Sequence, residues 1–433
     1  MTYLSPSEQL KKAAEIFQIA RKAPYYAEKY KGFAIPSTWE EWQKLPILER
    51  QELYDNTYPR SRAMFTGPLA DAFVSSTGGS SGTARTVVLK NEEMDEFIQR
   101  QADAFAQLQV KETDVVANMF IAGHLWPTFI AANEMIVRNH CVSLPISANI
   151  GLEEAYKLCR EYQPTIMLSL PTVFVFMADM AKKEGKPFHN LRMLAYVGEQ
   201  MSREADAYVR KWLGVKEIRP LAYSSGDCGI MGSQCLDCGF GEYHTLSDFQ
   251  LIEIVNPDTL QPVKEGETGE ILVTSLRRQF HPIIRYRIGD LASWIDQPCK
   301  CGSQERKYRL AGRAGEDFKL GGAYVTVGEF ERAINEVPEL SILDKEGNPL
   351  PSTHGDRRAQ MDLIVTVECD QPDRHEADAR RLEELLAERI KDIDGGRKKG
   401  FFRTYEVRLV DIGSLPRNPI TGKIKKVVDH RVI

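Results

Sequence analysis

Between residues 113 and 221 short apolar runs alternate with amphipathic segments, and this alternation constrains the fold of the 433-residue chain more than any other feature. The apolar runs have the length of strands and lie at 115–120, 141–144, 165–170, 193–197 and 218–221. The amphipathic segments have helical length and periodicity and lie at 128–137, 152–162, 173–183 and 203–213. Strands joined by helical crossovers form parallel sheets with both faces covered. We therefore predict an α/β fold with a doubly wound parallel sheet.

The sequence changes character after Gly226 and again after Arg313. Alternating strands with turn signals predict a β-rich lobe over about 226–310. A large domain over 1–313, which includes this lobe, is therefore expected to be followed by a small α+β domain over 314–433. Within the small domain we predict a helix at 327–337, a surface loop at 344–358, a strand at 363–368, a helix at 375–393 and a strand at 405–409.

Charge and apolar content exclude several classes of protein. The chain has 56 Lys and Arg residues against 61 Asp and Glu residues, a net charge of −5, and therefore no net positive field that would attract nucleic acid. Its longest weakly charged stretch, 115–137, contains Asn118, His124 and Glu134, which a membrane span should not bury. The N-terminus carries no apolar run followed by a cleavage site. We expect a small-molecule partner, no nucleic acid, no membrane and a cytoplasmic location.

Eight cysteines are too few for a disulfide scaffold in a chain of this length, yet four are grouped as Cys235-x-x-Cys238 and Cys299-x-Cys301. Four thiolates at such spacings are typical of a structural zinc site, which has no open coordination position and hence no catalysis. His244 is an alternative ligand in place of one cysteine. The competing interpretation is a set of reduced, unpaired thiols.

Residues 75–83 are all small, with six hydroxyls and three glycines, and Arg85 follows. Backbone N–H groups of such a run can approach a polyphosphate closely, the hydroxyls can donate to its oxygens, and the arginine offsets its charge. The run lacks the lysine of a P-loop. A flexible linker is the alternative.

Three other segments carry groups suited to a nucleotide. Tyr223 to Asp227 follows an apolar strand, at the strand end where open α/β sheets bind ligands. The tyrosine ring could stack on a purine, and Asp227 could hold a magnesium ion that bridges phosphates. Asp290, at the end of Arg-Tyr-Arg-Ile-Gly-Asp, could accept hydrogen bonds from a ribose diol. Lys423 lies on a loop punctuated by Pro and Gly. Taken singly, these are ordinary turns and a basic tail.

Together and in this order, the segments resemble the adenylate-forming (acyl-CoA synthetase) superfamily, and within it the chain is similar to the phenylacetate-CoA ligase family. The cysteine pairs and the ending at 422–429 fit that branch, and the resemblance spans about residues 20–433. It implies that a carboxylate attacks the α-phosphorus of ATP, with release of pyrophosphate, and that the thiol of CoA then displaces AMP. It also implies magnesium and a mobile C-terminal domain.

The resemblance assigns roles residue by residue. Lys423 would be the catalytic lysine that meets the charge on the α-phosphoryl group. Asp227 would bind magnesium. The nucleotide-binding residues that the resemblance implies are Thr77, Gly78, Gly79, Ser80, Ser81, Gly82, Gly198, Glu199, Gln200, Tyr223, Ser224, Ser225, Gly226, Asp290 and Arg313.

Several positions depart from the family pattern. Ala84 replaces a usual proline, Gly226 a usual Ser or Thr, and Asp227 a usual glutamate. Gly315 and Gly321 stand where a hinge aspartate and an arginine are usual, which leaves an amine or a carrier-bound thiol open as the acceptor in place of CoA. A degraded nucleotide-binding regulator is a further alternative. We expect an aromatic or apolar acid, and the sequence leaves a homodimer open.

Overall fold

The computed structural model describes the backbone of a defined part of the chain. The described residues are 2–76, 85–198, 201, 203–313, 317–320, 323–326, 350–355, 361–369, 371–389, 402–411 and 414–415. The chain divides into two compact units. The first unit comprises residues 1–173, 180–200 and 213–311, and the second comprises residues 174–179, 201–212 and 312–433. The division expected between 313 and 314 stays a prediction. The grouping of two internal helical pieces with the second unit was not anticipated.

Helices open the first unit. They are α1 (Pro6–Ala20), α2 (Pro24–Lys29), α3 (Trp39–Gln43) and α4 (Arg50–Asn56). Helix α1 begins where it does because Ser5 and Glu8 form a capping box: the Ser5 hydroxyl accepts from the Glu8 N–H, and the Glu8 carboxylate accepts from the Ser5 N–H at 2.8 Å. Proline at the first helical position of α1 and α2 supplies a φ angle suited to a helix start.

The predicted parallel sheet is confirmed. Its strands are β3 (Val115–Asn118), β4 (Val142–Leu144), β5 (Ile166–Ser169), β6 (Met193–Tyr196) and β7 (Glu217–Pro220), in the spatial order β4-β3-β5-β6-β7. Helix α5 (Asn91–Ala106) precedes β3, and the helices that connect the strands are α6 (Thr128–Arg138), α7 (Leu152–Tyr162), α8 (Pro171–Glu184) and α9 (Arg203–Leu213), with a short 3₁₀ turn at Ala148–Ile150. Consecutive residues Ile166, Met167 and Leu168 are all fully buried, so both faces of the sheet are covered.

Antiparallel structure makes up the rest of the first unit. A five-stranded sheet has the order β10-β14-β13-β12-β11, and its strands are β10 (Glu242–His244), β11 (Gln250–Val255), β12 (Thr268–Ser275), β13 (Tyr286–Ile295) and β14 (Lys307–Arg313). Two hairpins accompany it, and they pair β1 (Ala72–Ser76) with β2 (Thr86–Lys90) and β8 (Tyr223–Ser225) with β9 (Gly229–Gly232). Phe17, Tyr26 and Trp42 of the opening helices share one hydrophobic core with Tyr286 and Tyr308 of this sheet.

The second unit contains a three-stranded sheet. Its elements are β15 (Asp317–Leu320), β16 (Ala323–Thr326), β17 (Leu350–Gly355), β18 (Met361–Cys369), a 3₁₀ turn (Pro372–Arg374), α10 (Glu376–Arg389) and β19 (Phe402–Asp411). The sheet has the order β17-β18-β19, with β18 and β19 parallel. Helix α10 is joined to it because the Tyr405 hydroxyl donates to the Glu383 carbonyl at 2.9 Å and the Val407 N–H donates to the Glu383 carboxylate at 2.8 Å.

The structure confirms the strands predicted at 363–368 and 405–409 and most of the helix predicted from 375. The loop predicted at 344–358 was wrong over Leu350–Gly355, which forms an antiparallel ladder with β18. Pro351 favoured the loop prediction, because proline is rare in central strands. Strand β17 lies at the edge of its sheet, where a proline is tolerated. The helix predicted at 327–337 lies outside the described residues. Among the helices that the structure describes, none is both long and apolar enough to cross a bilayer.

Candidate functional site

The carboxyl ends of neighbouring parallel strands bring several predicted residues to one edge of the sheet. Strands β5, β6 and β7 are adjacent; Gly198 lies two residues after the end of β6, and the chain runs from β7 into Tyr223. Gly198 has a φ of +84°, and a Cβ there would lie 3.0 Å from the Leu170 side chain, so glycine is favoured on both counts. Open α/β sheets bind ligands at this edge. Glu199 and Gln200 lie outside the described residues.

The base of the β1–β2 hairpin reaches the same edge. The Ser76 N–H donates to the Leu125 carbonyl, in the loop that follows β3, at 2.9 Å. The strand register pairs Ser76 with Thr86, which fixes where the connection between the two strands starts and ends. The phosphate-binding residues expected from the sequence fall within this connection and lie outside the described residues; they are Thr77, Gly78, Gly79, Ser80, Ser81 and Gly82.

Asp227 lies in the turn between β8 and β9 and is 2% exposed. Arg85 Nε lies 3.1 Å and 3.0 Å from the two carboxylate oxygens, and Arg85 Nη2 lies 2.8 Å from Oδ2. The Tyr286 hydroxyl also donates to Oδ2, at 2.8 Å. Arg278 Nη1 donates to the Asp227 main-chain carbonyl at 2.5 Å. The carboxylate that the family resemblance assigns to magnesium is therefore already paired with a cation inside the protein.

Asp290 lies at a bulge in β13. Residues 288–290 of this strand lie opposite a single residue of β12, because the register shifts there. Gly289 has a φ of +77°, a backbone conformation that L side chains rarely adopt, so the bulge favours glycine. The Tyr223 hydroxyl donates to Asp290 Oδ2 at 2.6 Å. The bulge thus lies where the residue predicted to bind ribose meets the residue predicted to cover adenine.

Reciprocal tyrosine–aspartate hydrogen bonds join the two motifs. Tyr223 of the first motif donates to Asp290 of the second, and Tyr286 of the second donates to Asp227 of the first. Burial, followed by the Asp290 charge, raises the pKa of Tyr223 well above its ordinary value, so its hydroxyl keeps its proton at neutral pH. Sequence reasoning missed the role of Tyr286, because its partner is 59 positions away and no local pattern marks the pair.

The other residues predicted to bind the nucleotide lie at the end of β8, in the turn that follows it and at the end of β14. The Ser225 hydroxyl accepts from the Cys228 N–H at 3.0 Å, which stabilises the turn. Ser224 is half-buried and Gly226 is exposed. Arg313 is the last residue of β14. Lys423 lies outside the described residues.

A second group of candidate ligands lies in the β-rich lobe. One ligand atom from each of Cys235, His244, Cys299 and Cys301 lies within 4.8 Å of all the others. Cys235 Sγ is 3.6 Å from both His244 Nε2 and Cys299 Sγ, and Cys301 Sγ is 3.5 Å from His244 Nε2. Cys238 Sγ lies 3.6 Å from Cys235 Sγ but is not part of this group of four. The structure therefore brings together the alternative set, with His244 in place of Cys238.

The fold fixes these five side chains from two turns and one strand. His244 ends β10, next to β14, and the two cysteine pairs lie in turns closed by main-chain hydrogen bonds. His244 Nδ1 lies 3.4 Å from the Glu305 carbonyl, which leaves Nε2 directed at the sulfurs. Burial lowers the pKa of His244, and the neutral imidazole is the form that binds metals. The arrangement has the donors and spacing of a four-coordinate metal site.

The chain matches one family model and is similar over most of its length to two ligases. The model of the family described as AMP-binding enzyme matches residues 36–276, more than half of the chain. The chain is 24% identical over 409 residues to a phenylacetate-coenzyme A ligase of Thermus thermophilus, covering 90% of this chain and 88% of that protein. It is 24% identical over 421 residues to the corresponding ligase of Escherichia coli, covering 95% of this chain and 91% of that one.

A solved structure supports the same fold. A 2-hydroxyisobutyryl-CoA ligase, crystallised in its postadenylation state in complex with 2-HIB-AMP, superposes with a TM-score of 0.76 and 19% sequence identity. The match covers 98% of this chain and 89% of that chain. It confirms the predicted fold class, an α/β large domain followed by a small C-terminal domain.

Proposed function

Because the chain belongs to the AMP-binding enzyme family, we propose that it is an ATP-dependent carboxylate ligase that forms an acyl-adenylate and transfers the acyl group to CoA. The resemblance drawn from its motifs is confirmed, and the similarity to two phenylacetate-coenzyme A ligases extends over most of the chain. The observation that carries the proposal is the hydrogen bond between Tyr223 and Asp290, which joins two motifs 67 positions apart at the ligand-binding edge of the sheet.

The first step replaces a poor leaving group with a good one. A carboxylate oxygen of the acid forms a bond to the α-phosphorus of ATP, and the bond from that phosphorus to the bridging oxygen breaks as pyrophosphate leaves. Asp290, a half-buried residue, accepts hydrogen bonds from the ribose hydroxyls, and Tyr223 holds Asp290 in place. Lys423 stabilises the negative charge that gathers on the α-phosphoryl group.

In the second step the CoA thiol attacks the acyl carbon, and AMP leaves with the carboxylate oxygen that had bound phosphorus. Gly315 and Gly321 depart from the family pattern in the C-terminal part, so a second candidate keeps the first step and passes the acyl group to an amine. Acceptor-dependent release of AMP separates the two. CoA is the first candidate because the two relatives described above are named as coenzyme A ligases.

For the acid we propose an aromatic or apolar carboxylate. The two relatives act, by name, on phenylacetate. In this chain the loop after β3 presents His124 and Trp126 with ring centroids 5.0 Å apart, close to the residue that tethers the β1–β2 hairpin. Aromatic rings offer large apolar area with specific stacking geometry, which suits a flat acyl group.

The Cys/His group is proposed to bind a structural zinc ion. A tetrahedral ion with Zn–S bonds of about 2.3 Å puts its ligand atoms roughly 3.8 Å apart, close to the separations found among Cys235, His244, Cys299 and Cys301. Burial raises the pKa of Cys235 to about 11, so metal binding there is expected to release protons and to weaken at low pH. With four protein ligands the ion would have no open position, and its contribution would be to stability.

Three further expectations accompany the proposal. A cytoplasmic location stays a prediction, and a homodimer stays open. Magnesium is expected to arrive with ATP as the substrate MgATP, and its relation to Asp227 is taken up below.

The test is exchange of labelled pyrophosphate into ATP, measured without an acceptor across a panel of arylacetic, benzoic, short aliphatic and hydroxylated acids. We expect exchange that depends on the acid and is fastest with an aromatic or apolar member. Adding CoA or an amine to the best acid should then release AMP with only one of them. Binding of ATP with no exchange for any acid would favour the nucleotide-binding regulator instead.

A further inference from the structure

The pairing of Asp227 with Arg85 gives that carboxylate a different environment from the one that a magnesium ligand needs. Both carboxylate oxygens lie within 3.1 Å of Arg85 nitrogens, and Oδ2 also accepts from Tyr286. Magnesium in nucleotide enzymes is held at about 2.0–2.1 Å by one or two carboxylates and keeps several of its waters. A carboxylate that is 2% exposed leaves little space for such a hydrated ion.

Charge leads to the same conclusion. A divalent cation on an Asp227 oxygen would stand within a few ångströms of the Arg85 guanidinium, and like charges at that distance repel strongly in a poorly hydrated site. Asp227 therefore fits the magnesium role poorly unless Arg85 first leaves. The side chain is also one methylene shorter than the usual glutamate, which keeps its carboxylate close to the turn.

We propose that Asp227 is a positioning residue for Arg85, and that the guanidinium of Arg85, held by Asp227, is the fixed positive charge that contacts the nucleotide's phosphates. This inference rests on the proposed function, since it concerns the same nucleotide site.

The position of Arg85 supports this role. It comes directly before β2, and the pairing of Ser76 with Thr86 places it at the base of the hairpin whose connection was predicted to bind phosphate. Its side chain remains 15% exposed, whereas that of Asp227 is 2% exposed, so the arginine is the partner nearer to solvent. Guanidinium groups bind phosphate in a planar, bidentate geometry that suits this location.

The cost of the pair also argues for a positional role. A buried ion pair pays a large desolvation penalty, and replacing it with apolar groups is often neutral or stabilising. Burial alone would lower the pKa of Arg85, but the Asp227 charge raises it, so the guanidinium stays charged. Arg278 holds the Asp227 main chain and Tyr286 holds its side chain, so the turn is fixed from two directions.

The experiment compares Arg85→Gln, Asp227→Asn and the double variant in acid-dependent pyrophosphate exchange, over a series of ATP and free magnesium concentrations. We expect each single change to raise the KM for ATP about 10-fold or more. The KM of the double variant should be no higher than that of the more impaired single variant. The half-saturating magnesium concentration should stay within about twofold of the wild type. A rise of tenfold or more in that concentration for Asp227→Asn alone, or additive losses, would overturn the proposal.

A matched pair elsewhere in the same unit provides the control. Arg100 Nη2 and Asp248 Oδ2 are 2.7 Å apart, with side-chain exposures of 17% and 2% that nearly equal those of Arg85 and Asp227. Arg100→Gln and Asp248→Asn should lower the melting temperature about as much as Arg85→Gln and Asp227→Asn do. They should leave the KM for ATP within about twofold of the wild-type value. An equal rise in KM for these controls would mean that loss of folding stability explains the result, and the proposal would fall.

A second measurement keeps the inference testable if Asp227→Asn does not fold or if the wild type shows no exchange with any acid. Equilibrium binding of ATP in excess EDTA should weaken about 10-fold in Arg85→Gln and partly recover in Arg85→Lys. Unchanged magnesium-free binding in Arg85→Gln would contradict the proposal. Absence of exchange in the wild type, by contrast, would count against the ligase function and not against Arg85.

Discussion

The Cys/His group and the candidate nucleotide site, both in the first unit, differ in how many of their expected ligand groups already lie together. In the β-rich lobe, Cys235, His244, Cys299 and Cys301 already lie at mutual distances that suit one metal ion. At the edge of the parallel sheet, Tyr223 and Asp290 are joined to each other, and the groups expected on the phosphates and the α-phosphorus belong to other segments. A site whose ligand groups already lie together in one lobe is expected to contribute to stability. A site whose groups come from distant segments is expected to determine turnover. The two regions should therefore respond to mutation in opposite ways.

The largest effect is expected at Lys423. Lys423→Ala should lower pyrophosphate exchange by about 10³-fold, because it removes the charge that meets the α-phosphoryl group, with ATP affinity and melting temperature nearly unchanged. Lys425→Ala, two positions further on, is the control and should stay within about twofold of the wild type. Near-wild-type exchange in Lys423→Ala would remove the catalytic assignment.

The Cys/His group of the β-rich lobe should show the reverse pattern, with a large effect on stability and a small effect on turnover. Cys299→Ser should lower the free energy of unfolding by on the order of 3 kcal/mol and reduce bound zinc, with the remaining folded protein still able to exchange pyrophosphate. Atomic absorption and chemical denaturation measure the two quantities.

Cys238→Ser is the matched control for that experiment, since Cys238 lies beside Cys235 but outside the group of four. It should retain zinc. Equal loss of zinc in both variants would restore the four-cysteine site, and unchanged zinc in Cys299→Ser would rule out a metal site there.

A smaller effect is expected at the ribose position. Asp290→Ala should weaken ATP binding by roughly 10- to 100-fold, about 1.5–3 kcal/mol, because charge-assisted hydrogen bonds to the ribose hydroxyls are lost. Titration calorimetry measures this directly. Asp296→Ala, at an exposed position just beyond β13, should leave the dissociation constant unchanged. If the two variants bind ATP equally well, Asp290 has no role in holding the nucleotide.

The smallest effect is expected from Tyr223→Phe, which keeps the ring but removes the donor to Asp290. ATP affinity should fall by about 5-fold, roughly 1 kcal/mol. Since the pKa of Tyr223 is raised far above its ordinary value, the wild-type affinity should show no titration of this hydroxyl between pH 7 and 9. A larger loss than that of Asp290→Ala would mean that the tyrosine acts through contacts other than Asp290.

Much of the fold follows from local sequence patterns. The parallel sheet was predictable because its strands are buried on both faces, which leaves continuous apolar runs, and because the helices between them have a clear period. The cysteine spacings predicted the group of candidate metal ligands, and only the choice between Cys238 and His244 required coordinates. Strand β17 was missed because Pro351 is acceptable only at a sheet edge, and edge position is a property of the assembled sheet.

The candidate site was less accessible to the sequence. Tyr223 and Asp227 were found because their segment follows an apolar strand, and Asp290 because it ends a motif with suitable chemistry. The two partners of the Asp227 carboxylate were not predicted, because the ion pair joins Arg85 to Asp227 across 142 positions and the bond from Tyr286 to Asp227 spans 59. Contacts of that separation depend on how the β1–β2 hairpin, the turn after β8 and strand β13 meet, which no short window of sequence encodes.

The account depends on direct attack of the acid on the α-phosphorus of ATP, and an isotope transfer tests that step most directly. The best acid from the panel, labelled with ¹⁸O in its carboxylate, should be incubated with the protein, ATP and CoA, and the products analysed by mass spectrometry. We predict one ¹⁸O atom in the phosphate of AMP for each acyl-CoA formed. Label in inorganic phosphate together with release of ADP, or AMP formed without label, would contradict the account.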